Sequence, residues 1–165
     1  PYGYKFEELY EGNQKTIILV PEGGETTEVV KEIFHLYQKG WGFGRIATYL
    51  NKKGILPPSA RLKNFKRKKF GMWTNNTIQS ILKNPKYGGY MVQQRWRKVS
   101  YKIKKVKATP EEEWIWSGEF DGIIDKETFN KVQKNMEQRK QRLMVLCSIA
   151  KLNQSTICNI KMMSG

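Results

Sequence analysis

The sequence predicts an α+β fold, a helix-turn-helix-like helical bundle with a small antiparallel β-sheet and a C-terminal helix. Three observations predict it. Apolar residues recur at helical spacing in three short segments between residues 26 and 83, alternate with polar ones over residues 90–97, and return to helical spacing after Asp125. A chain of 165 residues, 39% hydrophobic and 12% aromatic, can fill the core of one ordinary domain or two small ones. It contains no run of 18 apolar residues, and Pro1-Tyr2-Gly3-Tyr4 is not a basic and apolar leader, so neither membrane spanning nor secretion is expected.

Residues 1–24 read as an extended, glycine-punctuated lead-in, with one short strand over Thr16–Val20 that stops at Pro21. Val29, Val30, Ile33, Phe34 and Tyr37 then form a helical stripe, with Thr26 or Thr27 as the expected cap and Gly40 as the stop. After the turn Trp41-Gly42-Phe43-Gly44, a second helix carries Ile46, Ala47, Tyr49 and Leu50 and ends near Gly54. Pro57-Pro58 cannot continue it, and a basic loop follows over residues 60–72. A third helix begins at Thr74, a good N-cap, buries Ile78, Ile81 and Leu82, and closes at Asn84-Pro85. Helix, glycine turn, helix, loop and third helix make the outline of a helix-turn-helix, with the third helix as reader.

Tyr90–Arg97 is expected to be a strand with a basic face, Tyr101–Val106 its hairpin partner, and Trp114-Ile115-Trp116 a third strand. Trp96, Trp114 and Trp116 are expected to cover one sheet face as core, the other reading being that they stack on bases. The last helix starts at Asp125, with Ile124 and Phe129 as a hydrophobic staple, and runs at least to Arg142. Residues 143–165 show no clear period or charge logic. They are set apart from residues 1–142 as a divergent tail.

Thirty Lys and Arg against 15 Asp and Glu give a net charge of +15. All the excess lies in one stretch: residues 33–110 hold 19 basic residues and no acid, while the remainder holds 11 basic and 15 acidic residues. A solvated basic surface is the ordinary meaning of a charge run. Here 78 consecutive residues lack any local neutralising partner, so a polyanion whose counterions would be released is the expected partner. Cys147, Cys158 and the single His35 cannot supply the four closely paired ligands of structural zinc, so no metal or other cofactor is expected. A basic chain with no secretory leader favours reduced thiols over a disulfide.

Several phrases fall in a recognisable order. They are Pro1-Tyr2-Gly3-Tyr4, the helix Val29 to Tyr37, Ile46-Ala47-Thr48-Tyr49-Leu50-Asn51 with Gly54-Ile55, Trp73 with Ile81-Leu82-Lys83-Asn84-Pro85-Lys86-Tyr87-Gly88-Gly89, and Ile123-Ile124-Asp125 with Phe129. Over about residues 1–142 the chain resembles the recombinase domain of large serine recombinases. The resemblance implies a DNA-binding domain that grips attachment-site duplex DNA beside the crossover point during recombination and integration by a mobile element. In that family it follows a catalytic domain and precedes a zinc ribbon. Neither counterpart is present in these residues: Ser59, Ser80, Ser100 and Ser117 match no nucleophile, and Cys147 and Cys158 lack the ribbon's spacing. The chain alone is therefore expected to be no enzyme, and, opening on proline, to be a fragment of a serine-type DNA recombinase. Double-stranded DNA and other recombinase subunits are the implied partners, with no small-molecule substrate, at the nucleoid in the cytoplasm.

By that resemblance Asn75, Asn76, Thr77, Gln79, Ser80 and Lys83 are the candidate base contacts, since amides can pair with an adenine edge and Lys with guanine. Read from the residues alone, the same side chains are equally caps and solvent-facing positions of a packed helix. Arg45, Arg61, Lys63, Lys66, Arg67, Lys68 and Lys69 are candidate phosphate contacts, joined by Arg95, Arg97 and Lys98 of the basic strand. The alternative function is an RNA or single-stranded nucleic-acid module in which basic strands and aromatic rings take the place of helix three. A remnant of a decayed element, binding DNA without sequence preference, is a third reading.

Overall fold

The computed structural model describes residues 1–12, 14–61, 71–103 and 105–162, with side chains at all of these except 11, 61 and 149–162. Its described elements run β1 (Tyr4–Glu11), β2 (Gln14–Pro21), α1 (Glu25–Gln38), α2 (Phe43–Lys52), α3 (Asn75–Leu82), β3 (Tyr90–Gln93), β4 (Trp96–Lys98), β5 (Val106–Ala108), β6 (Ile115–Glu119) and α4 (Lys126–Met162). The α+β class, with small antiparallel sheets and a C-terminal helix, is the one the sequence predicts.

The core lies where the helical stripes place it. Val30, Ile33 and Phe34 of α1, Ile46 and Leu50 of α2, and Ile78 and Leu82 of α3 are fully or almost fully buried, together with Tyr87 and, from α4, Val132. Each such side chain contributes roughly 1.5–3 kcal/mol by leaving water. Ile124 and Phe129 are both buried in the same cluster, at the staple positions on either side of the start of α4, and the Asp125 carbonyl accepts from the Phe129 N–H at 2.9 Å.

Trp73 joins α2 to α3. Its backbone N–H donates to Asn51 Oδ1 at 2.8 Å, its carbonyl accepts from Asn51 Nδ2 at 3.0 Å, and its indole N–H donates to the Ile55 carbonyl at 2.9 Å. One amide thus ties the end of α2 to the residue before the α3 cap. The phrase Tyr87-Gly88-Gly89 has an equally concrete cause. A Cβ on Gly88 would lie 2.8 Å from Phe129 Cγ, and one on Gly89, whose φ is +79°, would strike the Phe120 carbonyl. Only glycine lets this chain segment run against residues 120–122, where the Phe120 N–H donates to the Gly89 carbonyl at 2.8 Å. Tyr4 locks the crossing: its hydroxyl donates to the Lys86 carbonyl at 2.8 Å and accepts from the Ile123 N–H at 3.0 Å. Burial pushes the phenols of Tyr4 and Tyr87 above their ordinary range.

Five expectations are corrected. The lead-in is a full hairpin, β1 paired antiparallel with β2 from Tyr4 opposite Pro21 to Glu11 opposite Gln14. Much of it faces water on both sides, with Phe6, Tyr10 and Ile17 exposed on one face and Leu9 on the other, so most of its apolar residues join no buried face. Neither Thr26 nor Thr27 caps α1: Gly24 stands at the cap, while the Thr26 hydroxyl donates to Glu22 Oε2 at 2.8 Å and that of Thr27 to the Gly3 carbonyl at 3.3 Å, pinning the helix to the hairpin.

The expected three-stranded sheet is instead two separate two-stranded ribbons, β3 with β6 and β4 with β5. Gln94, with φ of +58°, breaks the strand between β3 and β4. The return strand is Val106–Ala108 rather than Tyr101–Val106. Consequently Trp96 and Trp116 are not core: they are 65% and 56% exposed, and Trp114 is half-buried. The last helix runs past Arg142, in keeping with the expected minimum: α4 continues to Met162, with Leu143, Met144, Val145 and Leu146 all exposed.

Candidate nucleic-acid interface

Helix α3 is the best-supported element of the surface. The Thr74 side chain caps it as expected, accepting from the Thr77 N–H at 3.3 Å, and the two threonine hydroxyls lie 3.0 Å apart. With Ile78, Ile81 and Leu82 turned inward, the helical period turns Asn76, Ser80 and Lys83 outward, and all three are exposed. The other candidates stand differently. Asn75 is exposed at the first turn, with its amide against Gly44: a Cβ there would meet Asn75 Oδ1 at 3.3 Å. Thr77 and Gln79 are half-buried on opposite flanks. Thr77 borders a groove of about 740 Å³ shared with Asn76, Ser80, Tyr2 and Ser59. Gln79 lines a cleft of about 540 Å³ with Lys83, Phe43, Met136, Arg139 and Lys140.

The candidate phosphate contacts separate into three groups. Arg45, on α2, is exposed, and its guanidinium lies 4.0 Å above the Trp41 ring, which itself stands edge-on to Tyr49 at 5.5 Å. Stacking holds that charge in place while leaving its hydrogens outward. Arg97 and Lys98, on β4, are exposed. Arg95 is half-buried: Nη1 donates to Asn84 Oδ1 at 2.8 Å, and the guanidinium sits 5.1 Å from the Trp114 ring. Its Nε is buried with no partner, and burial lowers its pKa against a smaller upward pull from Glu111. Arg95 thus ties the ribbon to the end of α3. Lys63, Lys66, Arg67, Lys68 and Lys69 lie outside the described residues, and of Arg61 only the backbone is described.

Two residues of the surface escaped the sequence reading. Arg139 donates from Nη1 to the Trp41 carbonyl at 3.2 Å and lies 4.6 Å from the Tyr37 ring, so it joins α4 to the turn that precedes α2. Lys140 comes beside Gln79 and Lys83 in the same cleft. Their signal was the α4 stripe, Val132 and Met136, which fixes which flank of α4 faces α3. Neutralisation is sparse. Among the described residues of the acid-free stretch, Lys53 pairs with Glu32 at 2.7 Å and Arg97 approaches Glu113 at 3.8 Å. Among the described residues no three His, Cys, Asp or Glu side chains gather as metal ligands. No helix there is long and apolar enough to cross a membrane.

An α+β module that turns outward a capped, amide-bearing helix and, among the described residues, largely unpaired cations is the class defined by this fold and surface. Within it the chain belongs to the Recombinase family: the family model of that description matches residues 24–139, more than half of the chain. This is consistent with the recombinase domain of large serine recombinases that the sequence phrases resemble. Membership ties the chain to site-specific DNA recombination. No curated protein matches it.

Proposed function

We propose that the chain is the DNA-binding domain of a serine-type site-specific recombinase and binds attachment-site duplex DNA, without cutting it, in concert with other recombinase subunits. The observation that carries this reading is the capped helix α3, with Asn76, Ser80 and Lys83 exposed in the middle of an acid-free stretch, in a member of the Recombinase family. Asn75, Asn76, Thr77, Gln79, Ser80 and Lys83 take the base edges. Arg45, Arg61, Lys63, Lys66–Lys69, Arg97 and Lys98 take phosphates, and Arg95 supports the ribbon that carries the last two. Residues 1–142 are the working unit and 143–165 an appendage to it, although α4 runs through Arg142 without a break. The place of action is the nucleoid.

Base and phosphate contacts separate by experiment. Asn76→Ala or Gln79→Ala flattens preference among duplex sites by about 1–3 kcal/mol per bidentate contact, while Lys68→Ala weakens all sequences alike. Competition among duplexes of different sequence measures both. Equal, sequence-blind losses from the two kinds of variant would remove α3 as the reader.

One observation favours the second reading, a single-stranded or RNA-binding module. Trp96 and Trp116 are more than half exposed, as rings that stack on unpaired bases would be. Competition between a duplex and a single strand of equal length decides between them.

A further inference from the structure

The stretch from Arg95 to Lys107 holds seven cations and no acid. From Trp96 to Ala108 every residue whose exposure is described is exposed except Ser100, which is half-buried, and β4 and β5 pair with each other alone. Trp96 is 65% exposed and Tyr101 89%. No residue from Trp96 to Ala108 belongs to the buried core cluster of the described residues.

Its register sharpens the point. Arg97 stands directly opposite Lys107, with Trp96 opposite Ala108 and Lys98 opposite Val106. Residues directly opposite share a face, so one side of the ribbon presents Arg97 with Lys107, and the other Trp96 and Lys98 with Val106. Two like charges facing each other across strands oppose pairing of those strands. Glu113 approaches Arg97 at 3.8 Å, and both side chains are largely in water, so the pair neutralises Arg97 weakly. Beside the pair runs a groove of about 580 Å³ lined by Arg97, Lys98, Val99, Lys107, Thr109 and Glu113.

The base of the ribbon, in contrast, is fixed. Gln94 turns the strand at φ +58°, Arg95 is held by Asn84 and the Trp114 ring, the Thr109 N–H donates to the Arg95 carbonyl at 3.1 Å, and the Trp114 indole donates to the Thr109 carbonyl at 2.9 Å. Asn84 is the residue that follows α3 and its C-cap, so the ribbon is set in a fixed relation to that helix. Preorganisation of two surfaces on one frame lowers the ordering cost of gripping one extended ligand with both.

We infer that the β4–β5 ribbon is a second, separate contact with the phosphate backbone of duplex DNA, made by the cross-strand pair Arg97 and Lys107 and aimed by Arg95, at a distance from the segment read by α3. This rests on the duplex-binding reading above, which gives Arg97 a phosphate, and adds to it Lys107 and the face of the ribbon that the two share.

The test uses the full chain and a random-sequence 30-base-pair duplex, with affinity measured across salt concentration. Arg97→Gln with Lys107→Gln makes the log–log slope shallower by about 2, since each phosphate contact carries about 0.9, and leaves preference among duplex sequences unchanged. Arg97→Lys with Lys107→Arg restores the slope, which separates charge from any effect on folding. A steep wild-type slope that the double glutamine variant does not alter overturns the ribbon contact and leaves the α3 reading standing. A flat wild-type slope overturns both. If the wild type prefers a 30-nucleotide single strand and the variant loses that preference, the ribbon's partner is unpaired nucleic acid and the duplex assignment is overturned.

Discussion

Trp73 and Trp96 lie in the same acid-free stretch and are held on opposite terms. Trp73 is 3% exposed and its indole and both backbone polar groups are hydrogen-bonded, while Trp96 is 65% exposed on a two-stranded ribbon that pairs with nothing else. Before α3 the stretch uses an aromatic residue to fix a helix; on the β4–β5 ribbon it offers them to solvent beside lysines and arginines. A uniform excess of charge along the sequence thus covers two different constructions. In one, cations decorate a packed scaffold. In the other, cations and rings are most of what the element contains.

The comparison can be broken at several points. Gly89→Ala has the largest expected effect, about 2–6 kcal/mol in chemical denaturation, because left-handed strain and the clash of the added carbon with a backbone carbonyl add. Trp73→Ala costs about 3–5 kcal/mol by emptying the junction of α2 and α3. Asn51→Ala, which leaves the backbone polar groups of Trp73 without their partner, costs about 1–3 kcal/mol and frays the start of α3.

Acid titration gives a smaller effect. Burial pushes the Glu32 carboxyl up, but hydrogen bonds from Lys53 and Tyr49 outweigh it and hold the pKa below the ordinary value. A depressed folded pKa stabilises above the unfolded value and is lost as pH falls through the folded one. Glu32→Gln therefore lowers stability at neutral pH by at most about 1 kcal/mol, given the pair's exposure, and the difference from wild type vanishes below the usual carboxylate range. Trp96→Ala closes the series, with a change in stability within about 0.5 kcal/mol. A loss comparable to that of Trp73→Ala would show that the ribbon packs as core after all.

Legibility followed the same division. The three helical stripes, the Thr74 cap and the Ile124 and Phe129 staple were readable because each buries a one-sided apolar face whose period survives in the sequence. The first strand and the ribbons were not. Their pairing is between positions that bury little, so composition alone cannot say which strand meets which, and a single backbone value at Gln94 decides where the sheet divides. For the surface, the sequence identified α3 and its exposed Asn76, Ser80 and Lys83. It could not see that Gln79 sinks into the cleft beside α4, or that Arg95 turns toward Asn84, because both depend on neighbours distant along the chain. Asn51 stood in the sequence only as a residue near the end of the second helix, and its bidentate hold on Trp73 is visible only once residues 22 positions apart are brought together.

The most direct test of the account is the salt dependence of duplex binding by the intact chain. If its cations grip about six to eight phosphates, the logarithm of the affinity falls against the logarithm of salt concentration with a slope of roughly −5 to −8. A slope near zero would contradict it.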